Sequence, residues 1–132
     1  MNRSLITAVC AAGVAAFGST ALAADGASNG SVKIGVLSDM SGVYKAIEGP
    51  GAVIAAKMAV EDFGGSVLGE DIEIVSADHQ NKADVASSIA RRWIDRDKVD
   101  MLVGMDNSAV GLAVQGLASG KDTITMNTGA GS

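Results

Sequence analysis

The fold is decided by VKIGVLSDMSGVYKAIEGPGAVIAAKMAVEDFGG, Val32 to Gly65. Val32 to Ser38 (VKIGVLS) is a short β-branched run that ends in polar residues, the pattern of a strand. Asp39 to Gly49 (DMSGVYKAIEG) reads as a loop. Pro50 suits the first turn of a helix, where its missing N–H costs nothing. Val53, Ala56, Val60 and Phe63 then recur at helical spacing on one face. Gly64-Gly65 closes that helix, since glycine accepts the left-handed backbone of a helix end.

The same order repeats downstream. Asp71 to Ser76 (DIEIVS) alternates polar and apolar residues and predicts a second strand, followed by the polar turn Asp78 to Asn81 (DHQN). Ala83 to Asp95 is a second helix, with Val85, Ile89 and Trp93 on one face. Asp100 to Gly104 (DMLVG) is a third strand, and Asp106 to Ser108 opens a third helix bearing Val110, Val114 and Leu117. Thr123 to Met126 (TITM) is a fourth strand, and Asn127 to Ser132 (NTGAGS) follows it. Strands alternating with amphipathic helices give the α/β class: a parallel sheet with helices on both faces. The last strand has no closing helix, which predicts a chain cut short. An open sheet edge and an uncovered face would make such a chain unstable or prone to aggregate alone.

In sheets of this kind ligands bind beyond the C-terminal ends of the strands. Those ends are Asp39 to Gly42, Asp78 to Asn81, Met105 to Ser108 and Asn127 to Ser132. All are rich in small polar residues, as strand–helix loops are in any case. Three places keep two readings each. Asn107 and Ser108 are either an ordinary N-cap or, with the free N–H groups behind them, a seat for a ligand carboxylate. Gly129-Ala130-Gly131-Ser132 is either a flexible turn or backbone that a ligand approaches closely. Ser41-Gly42 carries the same pair of readings.

The chain has 132 residues, a net charge of −5, 48% hydrophobic and 3% aromatic residues. Its length allows one domain at most, and its apolar content excludes a disordered chain. The acid excess argues against a nucleic-acid partner, which a basic stripe would mark. Met1 to Ala23 has the order of a secretory signal peptide: Arg3, an apolar stretch from Leu5 to Phe17, and the A-x-A site Ala21-Leu22-Ala23. Cleavage there removes the sole cysteine, Cys10, so the mature chain relies on packing without disulfides. Ala24 to Ser31 is a polar lead-in, expected to be mobile.

Tests for chemistry mostly fail. The first strand is followed by SDMSGVYK, so a dinucleotide fingerprint is absent there, and there is no Walker A motif. Ser108 lies in DNSAV, without the glycines of a nucleophile elbow. His79 is the only histidine. A lone histidine in a polar turn is a surface or hydrogen-bonded residue more often than a catalytic one. Glu61-Asp62 and Glu70-Asp71 are sequence neighbours at element ends and suit solvation rather than acid–base work. No metal set or cofactor motif emerges.

Three strings carry a family resemblance: SVKIGVLSDMSGVY (Ser31 to Tyr44), GPGAVIAAKMAVEDFGG (Gly49 to Gly65) and ADHQNKADVASSIARRWIDRDKVDMLVG (Ala77 to Gly104). The chain from Ser31 to Ser132 resembles the start of ABC-transporter substrate-binding proteins of the periplasmic leucine/isoleucine/valine-binding type. DMSG, AVEDFGG, DHQNK and RRWIDRD narrow it to a subgroup described simply as substrate-binding. The resemblance implies a type I periplasmic-binding-protein fold of two lobes, with residues 32–132 supplying most of the first. It implies no catalysis and no cofactor, a small amino acid, organic acid or amide as ligand, a membrane permease as partner, periplasmic location and a monomer. It places ligand contacts at Ser108 with Asn107, at Gly129, Ala130, Gly131 and Ser132, and at Ser41 and Gly42. Tyr44 is either pocket wall or a surface aromatic. The branched-chain receptors carry a threonine where this chain has Gly131 or Ser132, which speaks against a branched-chain amino acid as ligand. Other readings are a ligand sensor or regulator on the same fold, an exported α/β enzyme completed elsewhere, and the remnant of a disrupted gene.

Overall fold

The computed structural model describes residues 30–131; the expected signal peptide, most of the expected lead-in and Ser132 lie outside them. The elements run β1 (Ser31–Ser38), α1 (Gly49–Phe63), β2 (Ser66–Val67), β3 (Glu70–Asp78), α2 (Ala83–Arg92), a π-helical turn (Trp93–Asp97), β4 (Met101–Gly104), α3 (Ser108–Ala118) and β5 (Ile124–Asn127). They form one five-stranded sheet in the order β2-β3-β1-β4-β5. β1 pairs in parallel with both β3 and β4, and β4 with β5. The expected parallel α/β sheet is therefore present. One strand was missed: β2 pairs antiparallel with the start of β3. Its hairpin turns through Leu68 and Gly69, both at positive φ (55° and 85°).

Local chemistry explains the helix boundaries. Pro50 sits in the first turn of α1, and Gly64 at φ 104° donates its N–H to the Glu61 and Val60 carbonyls. α2 carries Asp84 in its first turn and Arg91 and Arg92 in its last, charges that complement the helix dipole. The expected second helix changes character at Trp93. There a π-helical turn adds a residue to the spiral and closes at Lys98, which adopts a left-handed conformation (φ 54°).

The two faces of the sheet are covered unequally. On one, Leu37 and Leu102 pack with Ala86, Ala90 and Trp93 of the second helical segment and with Val110 and Val114 of α3. Gly35 makes room for the Trp93 ring: a Cβ there would lie 2.7 Å from two of its ring carbons. Val85, Ile89 and Leu117, expected in this core, are half-buried at its margin. On the other face, α1 is the sole element among the described residues. Val53, Ala56 and Val60 are half-buried as expected, but Phe63 is 66% exposed. The reason is a cavity of about 770 Å³ between α1 and the sheet, lined by Val36, Ile74, Met101, Val103, Met126 and Phe63 among others. Ile124 and Met126 of β5 are left 64% and 52% exposed. The uncovered face and open β5 edge expected from the sequence are both present.

Candidate functional site

The strand order reverses at β1. The chain leaves it for β3 on one side and returns for β4 on the other. The loops after β1 and β4 therefore diverge, which is where open α/β sheets bind ligands. All four parallel strands end at this edge, bringing together the loops at residues 39–48, 79–82, 105–107 and 128–131.

Buried carboxylates tie these loops down. Asp39 is fully buried, and its carboxylate accepts the backbone N–H groups of Gly42 (2.7 Å) and Tyr44 (3.0 Å). Asp106, 5% exposed, accepts the Asp39 N–H at 3.1 Å. Asp78 accepts from Met40 N–H at 3.0 Å and Gln80 N–H at 2.7 Å. Burial alone would raise the Asp78 pKa. The Ser41 hydroxyl and the Gln80 and Met40 N–H groups outweigh it and hold the carboxyl below its ordinary value. At the far side Thr128 donates its hydroxyl to Glu48 Oε1 at 2.6 Å, and its N–H to the Gly104 carbonyl at 3.0 Å.

Each described residue expected at the site lies at this edge, in different condition. The Ser41 hydroxyl is engaged with Asp78, and the Gly42 N–H with Asp39. Gly42 is needed for close approach, since a Cβ there would lie 2.5 Å from the Asp39 carboxylate. Asn107 is the N-cap of α3: its Oδ1 accepts from Ala109 N–H (2.7 Å) and Val110 N–H (3.2 Å). Its Nδ2 donates to Asn81 Oδ1 at 2.7 Å. Ser108, the first residue of α3, is half-buried, and its hydroxyl has no hydrogen bond among the described residues. Gly129 packs between Glu48 and Asp106, with room for no Cβ: one would lie 2.7 Å from Glu48 Oε1 and 3.1 Å from the Asp106 Cα. Ala130 is half-buried, Gly131 exposed with open space around it, and Ser132 lies outside the described residues. Tyr44 is half-buried.

Sequence reasoning passed over Asp39, Asp106 and Glu48 as site builders. Their signal was only that each stands beside a strand end or helix start. Of the two expected readings of His79, surface or hydrogen-bonded, the second holds: it is completely buried, its Nδ1 accepts the Asn81 N–H at 3.0 Å, and its Nε2 lies 2.9 Å from Asp106 Oδ1. Among the described residues no group of three or more His, Cys, Asp and Glu is placed to hold a metal ion. Nor is any described helix long and apolar enough to cross a membrane.

The edge is thus an open platform of loop backbone, one hydroxyl and a helix N-terminus. Comparison with known proteins gives the family. The periplasmic binding protein family model matches residues 31–132. The chain belongs to the periplasmic binding protein family, and its fold is that of the first lobe of the type I class. A periplasmic binding protein from Burkholderia mallei is 55% identical over 77% of this chain and 27% of its own, with a TM-score of 0.75. A branched chain amino acid ABC transporter periplasmic ligand-binding protein from Burkholderia xenovorans is 46% identical over 76% of this chain and 27% of its own, with a TM-score of 0.73. A solute binding protein of an ABC transporter from Rhodopseudomonas palustris, in complex with 3,4-dihydroxy benzoic acid, is 26% identical over 77% of this chain and 28% of its own, with a TM-score of 0.69. The chain therefore spans little more than a quarter of these solved chains. No curated protein matches it.

Proposed function

We propose that this chain is the ligand-holding first lobe of an extracytoplasmic solute-binding component of an ABC importer. It is exported by removal of Met1 to Ala23 and acts in the periplasm. The bound solute is a small carboxylate, an amino acid or an aromatic acid, handed on to a membrane permease. The observation that carries this reading is the unengaged Ser108 hydroxyl at the N-terminus of α3, at the point where the strand order reverses. Asn107 takes up the Ala109 and Val110 N–H groups, so the Ser108 N–H and hydroxyl are the donors left at a helix N-terminus whose dipole favours an anion. Gly131 and the backbone around it leave close access from the β5 side.

We read the function as binding rather than catalysis, in line with the family, and the carboxylates of this edge are already engaged by backbone N–H groups. A solute held between this lobe and a second would shift an open–closed equilibrium by its greater affinity for the closed form, which the permease would recognise. One lobe alone makes only part of the contacts, so its own affinity is expected near the millimolar range, about 4 kcal/mol.

An NMR titration of the chain with 3,4-dihydroxybenzoate, isoleucine and an uncharged amide tests this. The two carboxylates should shift the amide signals of Ser108, Ala109 and residues 129–131, and Ser108→Ala should abolish the effect. Shifts confined to the α1 groove, or none with either carboxylate, refute the reading. Mass spectrometry of exported protein should find Ala24 as the new N-terminus; an intact Met1 there refutes the processing step.

A further inference from the structure

We propose that His79 is the positioning residue of this edge: its buried imidazole fixes the orientation of Asn107 and hence the presentation of the α3 N-terminus. The inference rests on the ligand-site reading above for its consequence, but its geometry stands independently.

The side chains of His79 and Asp106 are 0% and 1% exposed. His79 Nδ1 accepts the Asn81 N–H at 3.0 Å, so the ring proton sits on Nε2. Nε2 lies 2.9 Å from Asp106 Oδ1 in a close polar contact, and neither atom has a hydrogen-bond partner among the described residues. That contact sets the Nε2 edge of the ring against Asp106. The other Asp106 oxygen holds the Asp39 N–H, and so the loop after β1.

The second route runs through Asn81. Gln80 and Asn81 both adopt left-handed backbone (φ 54° and 55°), an arrangement that the Nδ1 contact to Asn81 N–H helps to hold. Asn81 Oδ1 in turn accepts from Asn107 Nδ2 at 2.7 Å. A carboxamide has one acceptor end and one donor end. With its donor end committed to Asn81, Asn107 must turn Oδ1 onto the Ala109 and Val110 N–H groups. The two nitrogens of one histidine thus reach adjacent residues, Asp106 directly and Asn107 through Asn81. The ring of bonds closes through the 106–107 peptide. A catalytic role for the pair is excluded by its burial, since no substrate reaches either group.

Two substitutions separate the two routes. His79→Gln places an amide donor near the former Nε2 and removes the acceptor for Asn81. His79→Asn does the reverse. With His79→Gln, stability should stay close to wild type while the Ala109 amide exchanges with solvent about tenfold faster, the factor of one hydrogen bond of about 1.4 kcal/mol. Asn81→Ala should do the same, and the double variant should be no worse than either. With His79→Asn, Asp106 loses its buried donor and stability falls. The ¹⁵N spectrum of the wild-type imidazole should show a protonated Nε2 and an acceptor Nδ1.

A protonated Nδ1, or Ala109 exchange unchanged in both His79→Gln and Asn81→Ala, overturns the proposal. So does additivity in the double variant. Should His79→Gln not fold, Asn81→Ala and the imidazole spectrum decide alone. Titration with 3,4-dihydroxybenzoate then reads the consequence: about tenfold weaker binding in Asn81→Ala at near-constant stability supports positioning, and affinity that follows only the folded fraction counts against it. If wild type binds no carboxylate, the functional reading fails while the exchange and ¹⁵N results still judge His79.

Discussion

Replacing Gly42 by alanine should destabilise the chain, and the cause is local enough to calculate. Gly42 has no positive φ, so the backbone itself would accept alanine. The obstacle is the Asp39 carboxylate, whose oxygens would lie 2.5 Å and 2.6 Å from the new Cβ. To admit a methyl the carboxylate must retreat, loosening its bonds to Gly42 N–H at 2.7 Å and Tyr44 N–H at 3.0 Å. Hydrogen bonds to a charged group contribute about 1.5–3 kcal/mol each. Partial loss of two costs about 2–4 kcal/mol, against a gain of about 0.4–1 kcal/mol from a stiffer unfolded chain. The net expectation is a loss of about 1–3.6 kcal/mol. Gly116→Ala is the control. It lies within α3 with nothing within 4 Å of a new Cβ, and should gain about 0.5–1 kcal/mol. Urea unfolding followed by circular dichroism should place the two variants on opposite sides of wild type, with equal slopes. A Gly42→Ala midpoint at or above wild type would refute the close-approach argument.

Leu102→Ala should lose about 2–5 kcal/mol in the same assay, because Leu102 is fully buried at the centre of the better-covered face. The folded-state Asp78 pKa is lowered, so its contribution is present above the ordinary carboxylate pKa and is lost as pH falls through the lowered value. Melting temperatures measured downward from about pH 5 should therefore decline, and Asp78→Asn should flatten part of that decline; an unchanged slope would refute the assignment. Paired substitution Ile124→Lys and Met126→Lys, at side chains 64% and 52% exposed, should reduce self-association seen by light scattering without lowering the unfolding midpoint. Scattering unchanged by the pair would locate the sticky surface elsewhere.

Much of the fold was legible because strand and helix periods repeat clearly in the stretch from Val32 onward. β1, α1, α2, α3 and the parallel order follow from that alternation. β2 was not legible: two residues carry no period, and its turn puts Leu68, not the usual asparagine, at positive φ. The π-helical turn escaped for a related reason, since Trp93 continues the helical spacing and the inserted residue leaves no mark in hydrophobicity. Phe63 kept its predicted face, but periodicity cannot tell whether a face is covered. At the ligand edge, residue types revealed where loops end but not who bonds to whom. Asn107 and Ser108 look alike as cap candidates. Only the geometry shows that Asn107 caps the helix and leaves the Ser108 hydroxyl unengaged.

The central place of β1 also sets a timetable. It is the first strand to be synthesised, yet Ile34 stands opposite both Ile74 and Met101, so it cannot be satisfied until most of the domain has been made. Pairings so distant along the chain are slow, because loop closure must come before the contacts that reward it. During synthesis β1 therefore emerges with both of its neighbours still to come. For the export proposed above, that delay would keep the nascent chain threadable, the condition a translocase requires of anything it moves through a narrow pore.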